Sequence, residues 1–221
     1  SDAVSWQGGT VRIHRLEAVG NAGRLVFAGT TVPGAHSLEG TVYATPGVPG
    51  SFKGLLVDSL AVGASIRLNA DGKSITGRME MEGVRSDTAA AVTLDGEFVL
   101  RQPGGWGEWD APPEYDVLLT GGEVRVGEHP LHSARLGARG TFSPEKGLEA
   151  AALRLDLPDR EVWGEGTGSL SLDGGFSCDT RIHAGNLAAF PSGLPVSGEV
   201  EARLSATGNY KNVEAEGVLS A

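Results

Sequence analysis

The sequence contains a single cysteine, few aromatic residues and no long apolar run. Cys178 has no second cysteine to pair with, which excludes an internal disulfide. No segment approaches the ~18 to 20 consecutive apolar residues that cross a bilayer as a helix. Basic residues are outnumbered, 18 against 28 acidic ones, and the formal net charge is −10. This charge argues against nucleic acid as a partner, because such binding needs a basic surface.

Motifs that carry catalysis are also missing. The sequence has neither a phosphate-binding loop of the GxxxxGK type nor a GxSxG nucleophile elbow. His129 and His132 form the closest histidine pair, but Pro130 prevents a helical arrangement and no cluster of acidic or cysteine ligands lies beside them. We expect an exposed loop there, with no metal ion and no other cofactor. The sequence therefore predicts a protein that is not an enzyme.

One cluster combines aromatic and acidic side chains, and it consists of Trp106, Glu108, Trp109, Asp110 and Glu114. Paired carboxylates beside tryptophans are found in glycosidases and sugar-binding surfaces. A loop whose tryptophans fold back over the end of an apolar sheet gives the same pattern. We favour the loop and keep, as the alternative function, a structural or adhesive extracellular β-solenoid or sandwich that binds glycans through Trp106 and Trp109.

Glycine and strict alternation dominate what the sequence does contain. Its 34 glycines are about twice the usual share of about 7%, at the spacing of turns between short strands. In residues 198–221, GEVEARLSATGNYKNVEAEGVLSA, apolar and polar residues alternate on both sides of Gly208-Asn209. A period of two is typical of a strand with one apolar and one polar face. Since this unit recurs along the chain, we predict an all-β antiparallel meander with less than about 10% helix.

Turns and joints are predicted from clusters of glycine, proline, asparagine and aspartate. The predicted turns are Asn69-Ala70-Asp71-Gly72, Asp95-Gly96, Gly121-Gly122, Asp173-Gly174-Gly175 and Gly208-Asn209, and one helical turn is predicted at Asn186–Phe190. Proline-rich stretches at 45–54, 102–114 and 191–198 are predicted as joints. Residues 1–221 then form one continuous, repetitive sheet segment, which we interpret as part of a longer protein.

A strip of apolar residues on one face is the predicted functional feature. A long sheet with one apolar face and no helices to cover it must curl, close, pair with another sheet or hold an apolar ligand. The residues predicted to line such a groove are Leu153, Leu155, Leu157, Leu170, Leu172, Val200, Ala202 and Leu204. The polar face is predicted to carry Glu201, Arg203, Glu214 and Glu216.

The segment from Leu148 to Leu219 carries a resemblance to a known family most clearly. It reads LEAAALRLDLPDREVWGEGTGSLSL, then a joint, IHAGNLAAFPSGLPVSG, then GEVEARLSATGNYKNVEAEGVLSA. This succession of strand, joint and strand resembles the repeats of the TamB and AsmA-like superfamily of bacteria with two membranes. The N-terminal half, with RLEAVGNAGRLVFAG, follows the same style.

The resemblance implies a fold and a function. It implies a sheet curled into an open, taco-like groove with an apolar interior. It further implies a periplasmic location, an anchor in the inner membrane, and a role in outer-membrane biogenesis in which phospholipid or other acyl-chain lipids move between membranes. An outer-membrane β-barrel is implied as a protein partner.

Overall fold

The structure of the chain is a computed structural model. The structure describes residues 4–20, 23–33, 37–46, 50–52, 55–69, 72–86, 89–103, 111–126, 129–185, 198–209 and 212–220. Strands hold 87% of these residues, and helical structure among them is limited to the 3-10 turn Pro158–Arg160 and the 3-10 residue Pro33. The all-β prediction is confirmed, because the period-two alternation of the sequence is realised as strands.

Sixteen strands form a single sheet. They are β1 (Val4–Gln7), β2 (Thr10–Gly20), β3 (Gly23–Val32), β4 (Ser37–Pro46), β5 (Gly50–Phe52), β6 (Leu55–Val57), β7 (Ser59–Asn69), β8 (Gly72–Arg85), β9 (Ala89–Pro103), β10 (Glu114–Val126), β11 (His129–Ser143), β12 (Gly147–Leu157), β13 (Val162–Leu170), β14 (Gly175–Ala184), β15 (Val200–Asn209) and β16 (Val213–Ser220).

Each strand pairs antiparallel with its neighbours in the chain. The order is β1-β2-β3-β4-β7-β8 and onward without a break to β16, while β5 and β6 form a side hairpin attached to β8 at Leu56 and Arg85. The first and last strands of this path do not pair with each other, so the sheet is open. This is the predicted open meander, and short connections explain it because they join antiparallel neighbours.

Two of the predicted turns are confirmed in position. Asn69 pairs with Gly72, which leaves a two-residue connection between β7 and β8. Between β13 and β14, the Ser171 amide donates to the Gly175 carbonyl (2.8 Å), and Gly174 has a φ of +92°. A positive φ of that size is easy only for glycine, so the sequence signal there had a physical basis.

Other predicted turns are wrong or displaced. Asp95-Gly96 lies inside the fifteen-residue strand β9, and Gly121-Gly122 lies inside β10. At the C-terminal end, β15 continues through Gly208 to Asn209, whose amide donates to the Asn212 carbonyl (2.8 Å) across the turn. Each pair of short strands predicted around the two internal glycine sites is therefore one long strand.

Two further predictions are corrected. The sequence around His129 and His132 belongs to the beginning of β11 and is not a loop, because it pairs with β10 through Val124 and Leu131. Leu172 lies in the turn after β13 rather than in a strand. The predicted helical turn at 186–190, residues 191–197 and the tryptophan cluster 106–110 lie outside the described residues.

Few side chains are buried in this thin architecture. Among the described residues, the buried apolar side chains are Val84, Tyr115, Val162 and Ala184, and none is less than 2% exposed. A two-layer protein of this length buries many more, because each layer covers the other. The described strands instead form one layer whose apolar side chains are mostly half-buried.

Candidate functional site, an apolar sheet face

The register of the sheet aligns apolar residues in rows that cross the strands. Residues that face each other directly in an antiparallel pair lie on the same side of the sheet. A chain of such pairs therefore defines a row. The central row has one residue from each of thirteen strands, and every member is apolar or glycine. It consists of Ala18, Leu25, Ala44, Val62, Met79, Gly96, Leu119, Leu136, Leu155, Gly164, Ile182, Ala202 and Leu219.

Two further rows lie beside it on the same face, the second two residues and the third four residues further along most strands. The second row is Leu16, Phe27, Val42, Ala64, Gly77, Phe98, Val117, Ala138, Leu153, Gly166, Thr180, Leu204 and Gly217. The third row is Val4, Ile13, Gly29, Gly40, Ile66, Ile75, Leu100, Tyr115, Gly140, Ala150, Gly168, Cys178, Ala206 and Ala215. We call the three rows together the apolar face.

Register irregularities in β2 and β12 keep these rows aligned. The pairing shifts by one residue between Ile13 and Leu16, and again between Ala150 and Leu153. An extra residue in a strand normally reverses the side to which later residues point, unless it is accommodated as a bulge. Here each bulge absorbs the extra residue, so the residues on both sides of it remain on the apolar face.

Seven of the eight residues predicted to line a groove lie on this side of the sheet. Leu153, Leu155, Ala202 and Leu204 are members of the rows. Leu157 and Val200 belong to an adjoining row in which Leu157 pairs with Val162, Val162 with Ala184 and Ala184 with Val200, and Leu170 pairs with Leu148 and Phe176. The exception is Leu172, which is 61% exposed in its turn.

The apolar face is partly open to solvent. Leu25, Leu100 and Leu136 come from β3, β9 and β11, and their exposed fractions are 46%, 38% and 43%. In a closed core, leucines in the middle of a sheet are almost fully buried. The exposure extends along the sheet and does not occur only at its edges, so the described strands leave an extended apolar surface.

Glycines on the apolar face are covered by large neighbouring side chains. A Cβ at Gly96 would lie 2.5 Å from Met79 Cγ and 3.0 Å from Leu119 Cδ2. At Gly77 it would lie 2.5 Å from Cζ of Phe98. These large side chains therefore lie flat over the glycines, which keeps the apolar layer thin. The sequence predicted a turn at one of these glycines, Gly96. No local sequence signal distinguishes a glycine that is covered by neighbouring side chains from a glycine in a turn.

The opposite face carries most of the charged side chains and the cross-strand ion pairs, together with a few exposed apolar side chains such as Tyr43, Leu118 and Val218. Arg67 contacts Glu39 (3.0 Å) and Arg78 contacts Glu97 (2.8 Å), in each case between directly paired residues. On the same side, the Trp163 ring stacks on His183 with centroids 5.3 Å apart. The predicted polar residues also lie on this side. Glu201 contacts Arg181 at 3.0 Å, Arg203 pairs directly with Arg181, and Glu214 and Glu216 pair with Thr207 and Ser205.

Ion pairs perturb two carboxyl groups at the surface. Hydrogen bonds from Arg24 and then Arg15 lower the pKa of the Glu17 carboxyl. A hydrogen bond from Arg85 (2.7 Å) lowers the pKa of the Asp58 carboxyl. Both groups are fully exposed, so these shifts indicate local pairing and not a buried reactive site.

A depression of ≈ 850 Å³ extends from β12 to β16 and has walls of mixed character. Its lining combines Leu153 and Leu204 with charged side chains, which are Arg154, Glu165, Asp179, Arg181, Arg203 and Glu216. Because positive and negative side chains alternate around it, the depression has no clear preference for an anion or a cation.

A smaller apolar pocket of ≈ 230 Å³ lies on the apolar face between β8 and β12. It is lined by Leu94, Leu119, Leu136 and Leu155 and by the buried Val84. Three small residues, Ala91, Gly121 and Ala134, also line it. The arrangement can accept a compact apolar group.

No catalytic arrangement stands out among the described residues. They contain no group of three or more His, Cys, Asp or Glu side chains placed to hold a metal ion. Burial raises the pKa of the Tyr115 hydroxyl on the apolar face, so this group stays neutral at physiological pH. Nor do the described residues include a helix long and apolar enough to span a membrane.

Comparisons with known proteins add no identity. Neither the protein-family models, the curated proteins nor the solved structures give a match to this chain.

Proposed function

We propose that this chain is a non-enzymatic segment that shields the acyl chains of lipids on its apolar face. The observation that carries the proposal is the set of three apolar rows, interrupted only by Thr180 and the Tyr115 hydroxyl, on a face that stays partly exposed. An extended apolar surface of this kind marks a binding surface in soluble proteins. An acyl chain is the simplest ligand that matches it, because it offers apolar surface and nothing that needs a hydrogen-bond partner.

The dimensions of the face suit movement along a path. The central row crosses thirteen strands, and twelve spacings of about 4.8 Å give roughly 58 Å. This is about twice the ~30 Å thickness of a bilayer core. Each buried methylene group of a bound chain contributes about 0.8 kcal/mol, with little difference from one strand to the next. A lipid chain therefore meets a nearly uniform surface, and uniform binding favours sliding over trapping.

The cellular setting is proposed from the sequence resemblance. In a periplasmic protein anchored in the inner membrane, such a face would carry phospholipid chains through water toward the outer membrane. The polar face, with its cross-strand ion pairs, would face that water. Pairing with an outer-membrane β-barrel would place the end of the path at the target membrane.

Photo-crosslinking tests the proposal with adjacent residues on opposite faces. A photo-reactive residue at Leu155 is expected to capture phospholipid in cells, whereas one at Arg154 is not, because these neighbours point to opposite sides of β12. Equal capture from both positions would contradict the proposal.

A charge substitution supplies the functional test. Leu155→Arg is expected to block lipid transfer, because an unpaired charge is costly on an apolar surface. The matched control is Ser169→Arg, which places the same side chain on the polar face of β13, directly opposite Glu149. Far-UV circular dichroism checks that both variants are folded. Full transfer by a folded Leu155→Arg variant would refute the role of the apolar face.

Glycan binding is not proposed as a second function. Trp106 and Trp109 lie outside the described residues, and no other observation favours a sugar ligand.

A further inference from the structure

The pocket between β8 and β12 differs from the rest of the apolar face in how its strands are paired. Pairing between β8 and β9 passes from Glu82 with Thr93 to Val84 with Ala91, and no ladder pair includes Gly83. Between β9 and β10 it passes from Gly122 with Thr93 to Val124 with Ala91. Between β10 and β11 it passes from Gly122 with Ser133 to Val124 with Leu131. The irregularity therefore occurs at the same level in four neighbouring strands.

Two residues with positive φ accompany this irregularity. Gly83 has a φ of +60° and Glu123 a φ of +49°. A residue in this conformation interrupts the alternation of side chains along a strand. As a result, Val84 and Val124 line the same pocket as Leu94 and Leu119, where simple alternation would have turned them away. The pocket is thus produced by a local change in four neighbouring strands.

Ser86 and Ala89, at the facing ends of β8 and β9, line one end of the pocket. The Ser86 amide donates to the Ala89 carbonyl (2.7 Å), and the Ala89 amide donates to the Ser86 hydroxyl (3.1 Å). These hydrogen bonds hold the two strand ends together and satisfy the backbone groups that make them. Ser86 and Ala89 therefore form an end wall of the pocket along the strand direction.

The size and lining of the pocket define its ligand. An apolar cavity of about 150 Å³ accepts a benzene molecule, so ≈ 230 Å³ corresponds to about six to nine carbon atoms. The walls are mainly leucine, valine and alanine side chains, and the two polar residues among them, Ser86 and Arg135, leave the pocket surface almost entirely apolar. Such a surface offers little to a phosphate, a hydroxyl or an amine. A lipid headgroup is disfavoured for this reason.

We infer that this pocket binds the methyl end of one acyl chain and so fixes the position of a lipid on the apolar face. The inference rests on the proposed function, since it assumes that acyl chains reach this face. It adds one preferred binding position, between β8 and β12, to a surface that otherwise binds acyl chains without preference for position. The volume holds part of a chain, and the end wall stops the chain from passing through.

Stearic acids with a spin label at carbon 16 or at carbon 5 test this inference in the purified chain. A bound label broadens nearby methyl signals in NMR spectra. The label at carbon 16 is expected to broaden the Leu94 and Leu119 methyl signals strongly, and the label at carbon 5 much less. Equal broadening by the two labels would overturn the inference, because the chain would then have no fixed direction.

A matched pair of substitutions locates the site. Ala134→Phe fills the pocket, and Ala28→Phe makes the same change on the polar face of β3, where Ala28 pairs with Thr41. Ala134→Phe is expected to remove the selective broadening and to weaken binding of the carbon-16 acid about tenfold, the effect of losing two methylene contacts. Ala28→Phe is expected to leave both unchanged. Circular dichroism confirms that each variant is folded.

The outcomes separate the pocket from the proposed function. If stearic acid broadens methyl signals near Leu204 and Ala134→Phe changes nothing, the face binds chains but the pocket inference is overturned. If neither acid broadens any signal on the apolar face, the proposed function fails and the pocket inference fails with it.

Discussion

Alanine substitution at two glycines in adjacent strands provides a stringent test of which face is packed. Gly77 lies on the apolar face, where a Cβ would come within 2.5 Å of Phe98 Cζ and 2.6 Å of the Gly63 carbonyl oxygen. The phenyl ring can move, but the carbonyl oxygen belongs to the backbone of the paired strand. Overpacking of this kind typically costs about 1–3 kcal/mol, so Gly77→Ala is expected to lower the free energy of unfolding by that amount.

Gly63 gives the matched control because it points to the polar face. The nearest atom to a Cβ at Gly63 would be Tyr43 Cδ2 at 3.8 Å, an ordinary contact. Alanine restricts the unfolded chain more than glycine does, so Gly63→Ala is expected to raise the free energy of unfolding by about 0.4–1 kcal/mol. The two substitutions are chemically identical and should have effects of opposite sign.

Urea unfolding followed by circular dichroism at 25 °C measures both effects. The slope of the free energy with urea should stay constant, because neither change alters the surface exposed on unfolding. Combining Gly77→Ala with Phe98→Leu should recover part of the loss, since the smaller side chain leaves room for the new methyl group. A Gly77→Ala variant as stable as the parent protein would refute the packing of Phe98 over Gly77.

Three further outcomes are expected. Gly83→Ala should lower stability by about 1–3 kcal/mol in urea unfolding, because φ is +60° and the new Cβ would overlap the Asp58 carboxyl group; no loss would contradict the irregular pairing in β8. Asp58→Asn should flatten the acid limb of a stability–pH profile. Arg85 lowers the pKa of Asp58 in the folded state, so its contribution is present above the unfolded-state pKa of about 4 and disappears as the pH falls through the folded-state pKa; an unchanged acid limb would count against the pair. Trp163→Ala should lower the free energy of unfolding by about 0.5–1.5 kcal/mol through loss of stacking on His183, with a matching fall in the melting temperature. Adding His183→Ala to the Trp163→Ala variant should cause no further loss of stability.

Local sequence patterns predicted the type of secondary structure better than they predicted where each strand begins and ends. Asp95-Gly96 and Asp173-Gly174 are the same dipeptide, yet the first lies within a strand and the second forms a turn. Gly174 uses its freedom to adopt a φ of +92°. Gly96 instead provides space for Met79 and Leu119 on neighbouring strands. The sequence cannot distinguish these uses, because the second depends on side chains that come close only in the folded sheet.

The candidate site was predicted only in part, because some of its features also depend on the folded sheet. Alternation alone placed Leu153 and Leu155 on one face, because side-chain direction in a strand is a local property. The alignment of thirteen residues into the central row depends on register, which the sequence does not state. The pocket depends on the simultaneous irregularity at Gly83 and Glu123, which no periodic pattern reveals.

The pairing of each strand with its neighbours in the chain has a consequence for how such a protein can change in length. Apart from the β5–β6 side hairpin, β1 to β16 make no pairing that skips over another strand. Insertion or deletion of one complete hairpin would therefore leave every remaining interface intact, as in repeat proteins whose units contact only adjacent units. Each added hairpin would lengthen all three apolar rows by two residues, about 9.6 Å along the sheet. The reach of the apolar face is thus a modular quantity that gene duplication can adjust in steps, with no redesign of a shared core.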